Sequence, residues 1–336
     1  MRRDHTLPRG ELHRLTHKSA VLEGNPQGDP TQRDLHVWTP PDWSSKESLP
    51  LLVDLTGYWG CGLGHTNWKN LGENVPERLD RLAHEGMTRA VVAFPDCFTK
   101  LYGNQYLNSE GSGRYADYVC EEIVPTVEAK FNCGGKGRRG VFGKSSGGYR
   151  AAWHGLNRAD FWDAISINSG DMGFDALYIP ALLEDIMLLR KHENSIEKFV
   201  RHVEAQKKVK DNERMALMDF AQSAFFDPDP TQFRCMRLPL DPHTGEFIPE
   251  RWSNWLKHDP VVTSDTLGEN LKKLKLIYMD CGDHDQFRIH LGMRRFAKKL
   301  TAAGIAHTYE EYDDDHSDVD YRMDIFLPLL AKTLSA

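Results

Sequence analysis

The stretch Arg138-Arg139-Gly140-Val141-Phe142-Gly143-Lys144-Ser145-Ser146-Gly147-Gly148-Tyr149 constrains the fold more than any other part of the chain. A short apolar run ends in a serine flanked by glycines. Tyr149-Arg150-Ala151-Ala152-Trp153-His154 can then open a helix. Gly143-x-Ser145-x-Gly147 is the pattern of a nucleophile elbow, where a strand turns abruptly into a helix and lifts a serine hydroxyl above the sheet edge. Side chains in place of the glycines would block that turn, and the serine backbone within it is strained. Alone the motif is unspecific, because an ordinary glycine-rich loop between strand and helix reads the same.

The surrounding pattern supplies the context. Strand-length apolar runs occur at Leu49–Leu55, Arg89–Asp96, Arg139–Phe142, Trp162–Gly170, Leu274–Asp280 and His307–Tyr312. Helical periodicity falls between them, at Val75–Glu85 (stopped by Gly86), at Tyr115–Phe131, before Gly304, and at Met323–Leu334. Strands alternating with helices predict an α/β fold, with a mostly parallel sheet covered on both faces. Residues 1–16 read as a loose polar lead-in. His17–Glu23 and Asp34–Thr39 read as two strand arms around the turn at 24–30. From Asp171 the rhythm breaks. Residues 176–225 read as two or three helices, with Lys207–Lys210 as a solvated face, and the segment to 262 is rich in Pro, Asp and Trp. Residues 172–265 are therefore expected to form a helical cap inserted into a core made of 1–171 and 266–336.

Composition narrows the function classes. A net charge of −7 argues against a nucleic-acid or anionic-membrane surface, and no apolar run reaches membrane-spanning length. Met1-Arg2-Arg3-Asp4-His5 is charged and lacks the apolar segment of a signal peptide. The six cysteines (Cys61, Cys97, Cys120, Cys133, Cys235, Cys281) are scattered with no C-x-x-C pair, which favours free thiols in a reducing, cytoplasmic setting.

Acyl transfer by a serine needs a base for its hydroxyl, an acid to orient the base, and donors for the oxyanion. In α/β-hydrolases the order is serine, acid, histidine. The acid candidates follow the strand ending at Asp280. Asp285 is preferred, Asp283 is second, and Asp280 lies within the strand, where a structural role fits better. Among fifteen histidines His316 stands apart, after the last strand and before the last helix. The neighbouring Asp313–Asp315 run resembles a metal site, but no second ligand cluster has metal spacing, so neither metal nor cofactor is expected. The loop Thr56–Gly64 has no phosphate-binding signature and suits the other half of an oxyanion hole. Its donors would be the N–H groups of Tyr58, beside the permissive Gly57, and of Ser146. Trp59, Trp252, Trp255 and Phe225-Phe226 are candidates for shaping an apolar acyl or alcohol pocket.

These residues resemble the esterase D / Putative esterase family of α/β-hydrolases, which includes S-formylglutathione hydrolases, enterochelin-esterase-like proteins and mycolyltransferases. The likeness rests on Gly143–Gly148, on Gly282-Asp283-His284-Asp285-Gln286-Phe287, on Asp315-His316-Ser317, and on the helix Tyr115–Pro125; it spans about residues 50–170 and 270–330. It implies a serine ester hydrolase with Ser145 as nucleophile, Asp285 as acid and His316 as base, acting on a small to medium acyl or aryl ester. The loop Gly103-Asn104-Gln105-Tyr106 looks like the family's substrate-side loop, which makes Gln105 and Tyr106 candidate substrate contacts. Transfer of the acyl group to an alcohol or thiol by the same machinery is the alternative, and a non-catalytic binding protein on this scaffold is the third reading. Two features depart from the family: lysine precedes the nucleophile, and the 172–265 insertion is long for a formylglutathione hydrolase. A small-molecule ester is the expected partner, and self-association is compatible with the sequence.

Overall fold

The computed structural model describes residues 6 and 8–336. In chain order the strands are β1 (Glu11–Lys18), β2 (Gln32–Thr39), β3 (Leu51–Leu55), β4 (Val91–Pro95), the short pair β5 (Asn108–Ser109) and β6 (Gly113–Arg114), β7 (Arg139–Lys144), β8 (Ala164–Asn168), β9 (Leu276–Gly282) and β10 (Thr308–Tyr312). Every residue of β3, β4 and β8 is buried, which is what a strand covered on both faces requires. Eight strands form one sheet in the order β1-β2-β4-β3-β7-β8-β9-β10. β1 and β2 are antiparallel, and from β4 to β10 the neighbours run parallel. The register sets Gly143 opposite both Leu55 and Ile167, and Asn168 opposite Asp280, so the C-terminal ends of four central strands meet in one place.

The helices are α1 (Gly62–Thr66), α2 (Val75–His84), α3 (Tyr115–Asp117), α4 (Val124–Phe131), α5 (Ser146–Asn157), α6 (Phe174–Leu189), α7 (Ile196–Glu204), α8 (Asp211–Phe226), α9 (Pro249–Leu256), α10 (Pro260–Leu267), α11 (Ile289–Ala302) and α12 (Met323–Ser335). The start of α2 shows the local logic. Asn74 accepts from Glu77 N at 2.9 Å while the Glu77 carboxylate accepts from Asn74 N at 3.1 Å, a reciprocal cap with Pro76 in the first turn. Strand alternation splits the core between the two sheet faces. Val53, Val141, Ile165 and Ile167 pack on one side with Ala151 and Ala152 of α5. Leu52, Val92 and Phe142 pack on the other with Leu79 of α2 and Phe326 and Leu330 of α12. No helix among the described residues is long and apolar enough to cross a membrane.

The N-terminal region differs from the sequence expectation. Of the lead-in predicted at 1–16, residues 1–5 and 7 lie outside the described residues, as does the stretch read for a signal peptide. From Glu11 the chain is already β1, with Leu15 opposite Leu35 of β2, and the predicted arm at 17–23 is mostly turn. Glu11-Leu-His-Arg-Leu-Thr-His-Lys18 reads as polar because β1 is the sheet's edge, where charged outward side chains are favoured. Between β8 and β9 the chain runs through α6–α10; α6 packs on α8, while α10 lies against α5 and α11.

Candidate active site

Ser145 lies between β7 and α5 with φ 57° and ψ −124°, a region disfavoured for any residue with a side chain. The turn is pressed against the end of β3. A Cβ on Gly143 would stand 2.2 Å from the Leu55 carbonyl oxygen, and one on Gly147 only 1.7 Å from it. The two glycines are thus required by close approach of backbone to backbone. Ser145 N donates to Asn168 O at 3.0 Å, tying the turn to the end of β8. Ser146 opens α5, where first-turn N–H groups have no intrahelical acceptor. The loop after β3 passes alongside: a Cβ on Gly57 would be 3.5 Å from Ser145 Cβ. Next in that loop, Tyr58 is buried and donates its hydroxyl to Leu101 O at 2.6 Å, and Trp59 packs edge-on against it.

The three acid candidates sit in three environments. Asp285 is buried; its Oδ2 is 2.7 Å from His316 Nδ1, and its Oδ1 accepts from Phe287 N at 2.9 Å. His316 is steadied from two more sides, since its backbone N–H donates to Gln286 Oε1 at 2.9 Å and the Phe287 ring stands edge-on to the imidazole. Asp280 is buried and accepts from Arg322 Nε at 2.9 Å and Asn168 Nδ2 at 2.7 Å, so it joins strand ends. Asp283 is exposed and pairs with His284. The fold also brings Asp313 to Asp283 and His284, with ligand atoms within 4.8 Å of one another. This supplies the second cluster that sequence spacing had not revealed, and all three groups are exposed.

Among the described residues no hydrogen bond joins Ser145 Oγ to His316. The hydroxyl instead donates to Asp171 Oδ1 at 3.4 Å. Asp171 Oδ2 accepts from Ser146 Oγ at 3.2 Å, Gln105 Nε2 at 3.3 Å and Tyr178 OH at 3.5 Å. Burial pushes the Asp171 carboxyl above its ordinary value, against the nearby His316 charge and these donors. Sequence reasoning passed over Asp171. Its one signal is its place just past β8, the strand next to the elbow strand.

Ser145, His316, Asp171, Gly57, Tyr58 and Trp59 all line one cavity of about 760 Å³. Faces of α6 and α8 form part of its wall. Four aromatic candidates prove not to line it. Trp252 and Trp255 pack tilted on each other and edge-on to Phe247 and Tyr178 respectively, while Phe226 packs on Tyr178 and Phe225 on Tyr58. They form the interior of the helical segment and support the two tyrosines from behind. Gln105 and Tyr106 also lie behind the wall. Gln105 donates to Ser146 Oγ at 3.0 Å, and the Tyr106 hydroxyl meets Thr56 Oγ1 at 2.9 Å and Thr56 O at 2.8 Å, bracing the loop that carries Gly57.

A second acid–base pair on the cavity wall was not foreseen. His65 Nδ1 of α1 lies 2.5 Å from Asp54 Oδ2 of β3. Burial opposes the charged imidazole, but the Asp54 carboxylate, with Asp320 adding to it, raises the His65 value. Burial lowers the Lys144 ammonium value, against the pull of Asp320 and Asp318. All six cysteines are free, and all but Cys61 are buried.

This sheet, with its serine turn and cavity at the C-terminal strand ends, is of the α/β-hydrolase class. A family model described as "Putative esterase" matches residues 30–330, and the chain belongs to that family and is an ester hydrolase. No curated protein sequence matches it. Among solved structures it is similar to an S-formylglutathione hydrolase from Agrobacterium tumefaciens (17% identity, 98% of each chain covered, TM-score 0.59). It is also similar to a ferulic acid esterase from Anaeromyces mucronatus (14% identity, 98% of this chain and 93% of that one, TM-score 0.61). A third is the fluorophosphonate-binding serine hydrolase FphF of Staphylococcus aureus (16% identity, 97% of this chain and 99% of that one, TM-score 0.60). At these identities the likeness is one of fold.

Proposed function

We propose that the chain is a serine carboxylic-ester hydrolase acting through an acyl-enzyme, with Ser145 as nucleophile, His316 as general base and Asp285 as the acid that orients it. The observation that carries this reading is the buried 2.7 Å contact between Asp285 and His316 on the wall of the cavity that holds the elbow serine. The Ser145 hydroxyl turns from Asp171 toward His316 Nε2 when substrate arrives; such bonds are often long in the free enzyme and tighten in the complex. Oγ attacks the acyl carbon as its proton passes to Nε2, while Asp285 holds the Nδ1–H. Backbone N–H groups of Tyr58 and Ser146 receive the oxyanion, each such donor contributing about 2.7–4 kcal/mol. The imidazolium then protonates the leaving alcohol, and water repeats the sequence to release the acid.

The same reading assigns residues 172–265 as the cap, because α6 and α8 line the cavity that holds the serine. The cavity volume suits a small to medium acyl or aryl ester. The free cysteines favour a reducing, cytoplasmic setting. The deciding experiment is hydrolysis of p-nitrophenyl butyrate by Ser145→Ala, with circular dichroism to verify folding. Loss of about 10⁶ in kcat is expected. Retention of near-normal activity by the folded variant would refute the assignment.

A further inference from the structure

The cavity wall changes character away from the serine. Leu177, Tyr178, Ala181, Glu184 and Asp185 recur at helical spacing on α6, and Met215, Met218, Asp219 and Gln222 do so on α8, so each helix turns one face to the cavity. Those faces carry carboxylates where an apolar acyl pocket would carry leucines. Asp185 is 8% exposed and Asp219 4%, and Asp171 continues the acidic wall to within 3.4 Å of Ser145 Oγ. Glu184 and Asp211 stand on the same side. Among the described residues on this lining, Arg214 pairs with Asp211 at 3.0 Å and lies over the Trp59 ring on an exposed part of the wall, and Arg288 donates to Ala176 O of α6 at 3.4 Å.

One buried acceptor on this wall has no partner, the Oε1 of Gln222, a residue only 1% exposed, while the Asp185 and Asp219 carboxyls hydrogen-bond to each other. Buried polar atoms are rarely left unpaired, so this oxygen asks for a donor. Tyr58, Trp59 and Tyr178 add aromatic rings to the same wall, and an aromatic face attracts a cation. An anionic ligand would be repelled there. A neutral polyol needs donors as well as acceptors, whereas the polar side chains that α6 and α8 turn to the cavity are chiefly carboxylates.

We propose that the part of the catalytic cavity under α6 and α8 is a cation subsite, which takes a protonated amine or quaternary ammonium group carried by the ester substrate. The subsite rests on the reading of Ser145 as nucleophile, because it names the substrate class of that same cavity. The titration of the wall agrees. Burial pushes the Asp185 carboxyl up to about 6, and burial together with the Asp185 charge pushes Asp219 well above its ordinary value. Burial thus opposes the negative charge of both carboxyls, and a bound cation would offset that cost.

The test compares butyrylcholine with 3,3-dimethylbutyl butyrate, its uncharged counterpart of the same shape, and with glyceryl monobutyrate. We expect kcat/KM for the choline ester to exceed that for the neutral ester by about tenfold or more, with the difference mainly in KM, as for uniformly bound groups. Asp185→Asn, and independently Asp219→Asn, should reduce that ratio to within about threefold. Calorimetric titration of the Ser145→Ala protein with butyltrimethylammonium supplies a readout that needs no turnover; it should bind about tenfold more tightly than 3,3-dimethylbutanol. Equal binding of the charged and neutral probes, or preference for the glyceryl ester, would overturn the subsite. If no ester is hydrolysed and the ammonium probe still binds preferentially, the catalytic reading fails and the cation subsite stands.

Discussion

Gly147→Ala adds a single methyl group at the tightest point of the elbow. Its Cβ would lie 1.7 Å from Leu55 O, 2.5 Å from Leu55 C and 2.8 Å from Thr56 O. Ordinary heavy-atom contacts lie at roughly 3.5 Å, so the neighbours must retreat by roughly 1.5–2 Å. All three are backbone atoms, and no rotamer change relieves them. Leu55 is also held in register opposite Gly143. The backbone conformation at 147 is not itself left-handed, so the cost is one of contact alone. Overpacking of this kind costs about 1–3 kcal/mol and occasionally more; with a rigid neighbour we expect about 3 kcal/mol. The retreating segment leads into Gly57 and Tyr58, so activity should fall as well, by about 10² for a shift of roughly 1 Å. Urea unfolding at unchanged m-value measures the first effect, and p-nitrophenyl butyrate turnover the second. Gly64→Ala is the control. Nothing lies within 4 Å of its added Cβ, and it sits in α1, where alanine is favoured by about 0.5–1 kcal/mol. A Gly147→Ala protein within about 0.5 kcal/mol of wild type, the range of ordinary surface changes, would refute the steric account of the elbow.

Two further outcomes are expected. Asp285→Asn should lower kcat by about 10⁴, by analogy with loss of the orienting acid in serine triads, whereas the exposed Asp283→Asn should change it by about twofold at most; the opposite pattern would move the acid to Asp283. The His65–Asp54 pair makes stability pH-dependent. Because the folded His65 value is raised, its contribution is complete below the unfolded value of about 6.5 and is lost as pH rises through the folded value. Asp320 and Lys69 also act on His65, with opposite signs. Asp54→Asn should therefore lower Tm more at pH 6 than at pH 9, and equal losses at the two pH values would remove the charged pair from the account.

The parts of the fold legible in the sequence were those with a local cause. The elbow announces itself because glycine is needed at Gly143 and Gly147, and the strand and helix on either side are continuous in sequence. The alternation of β3, β4, β7, β8 and β9 with helices was equally plain, because strands buried on both faces are mostly apolar, with isolated polar residues such as Asp54 and Asp280. Asp285 and His316 could be named from their places after late strands, although 31 residues separate them. The missed features depend on direction in space. Asp171 and the Asp54–His65 pair carry no motif, and only the packed sheet turns them to the cavity. Trp252 and Trp255 were misleading for the complementary reason: large aromatic side chains suit a pocket lining and a core equally, and here α9 turns them inward to Tyr178 and Phe247. β1 was lost because an edge strand alternates weakly and carries charge.

The positive φ at Ser145 has a consequence for how such a chain persists under selection. A residue with a side chain in that conformation costs on the order of 1–3 kcal/mol, and glycine would be largely free of the cost. A lineage selected only for thermal persistence would drift to glycine at 145 and gain robustness. Keeping serine there is a standing thermodynamic burden, sustained only while the hydroxyl is used. The elbow is thus the part of this fold where fitness and stability pull in opposite directions, and compensating stability has to come from residues far from it.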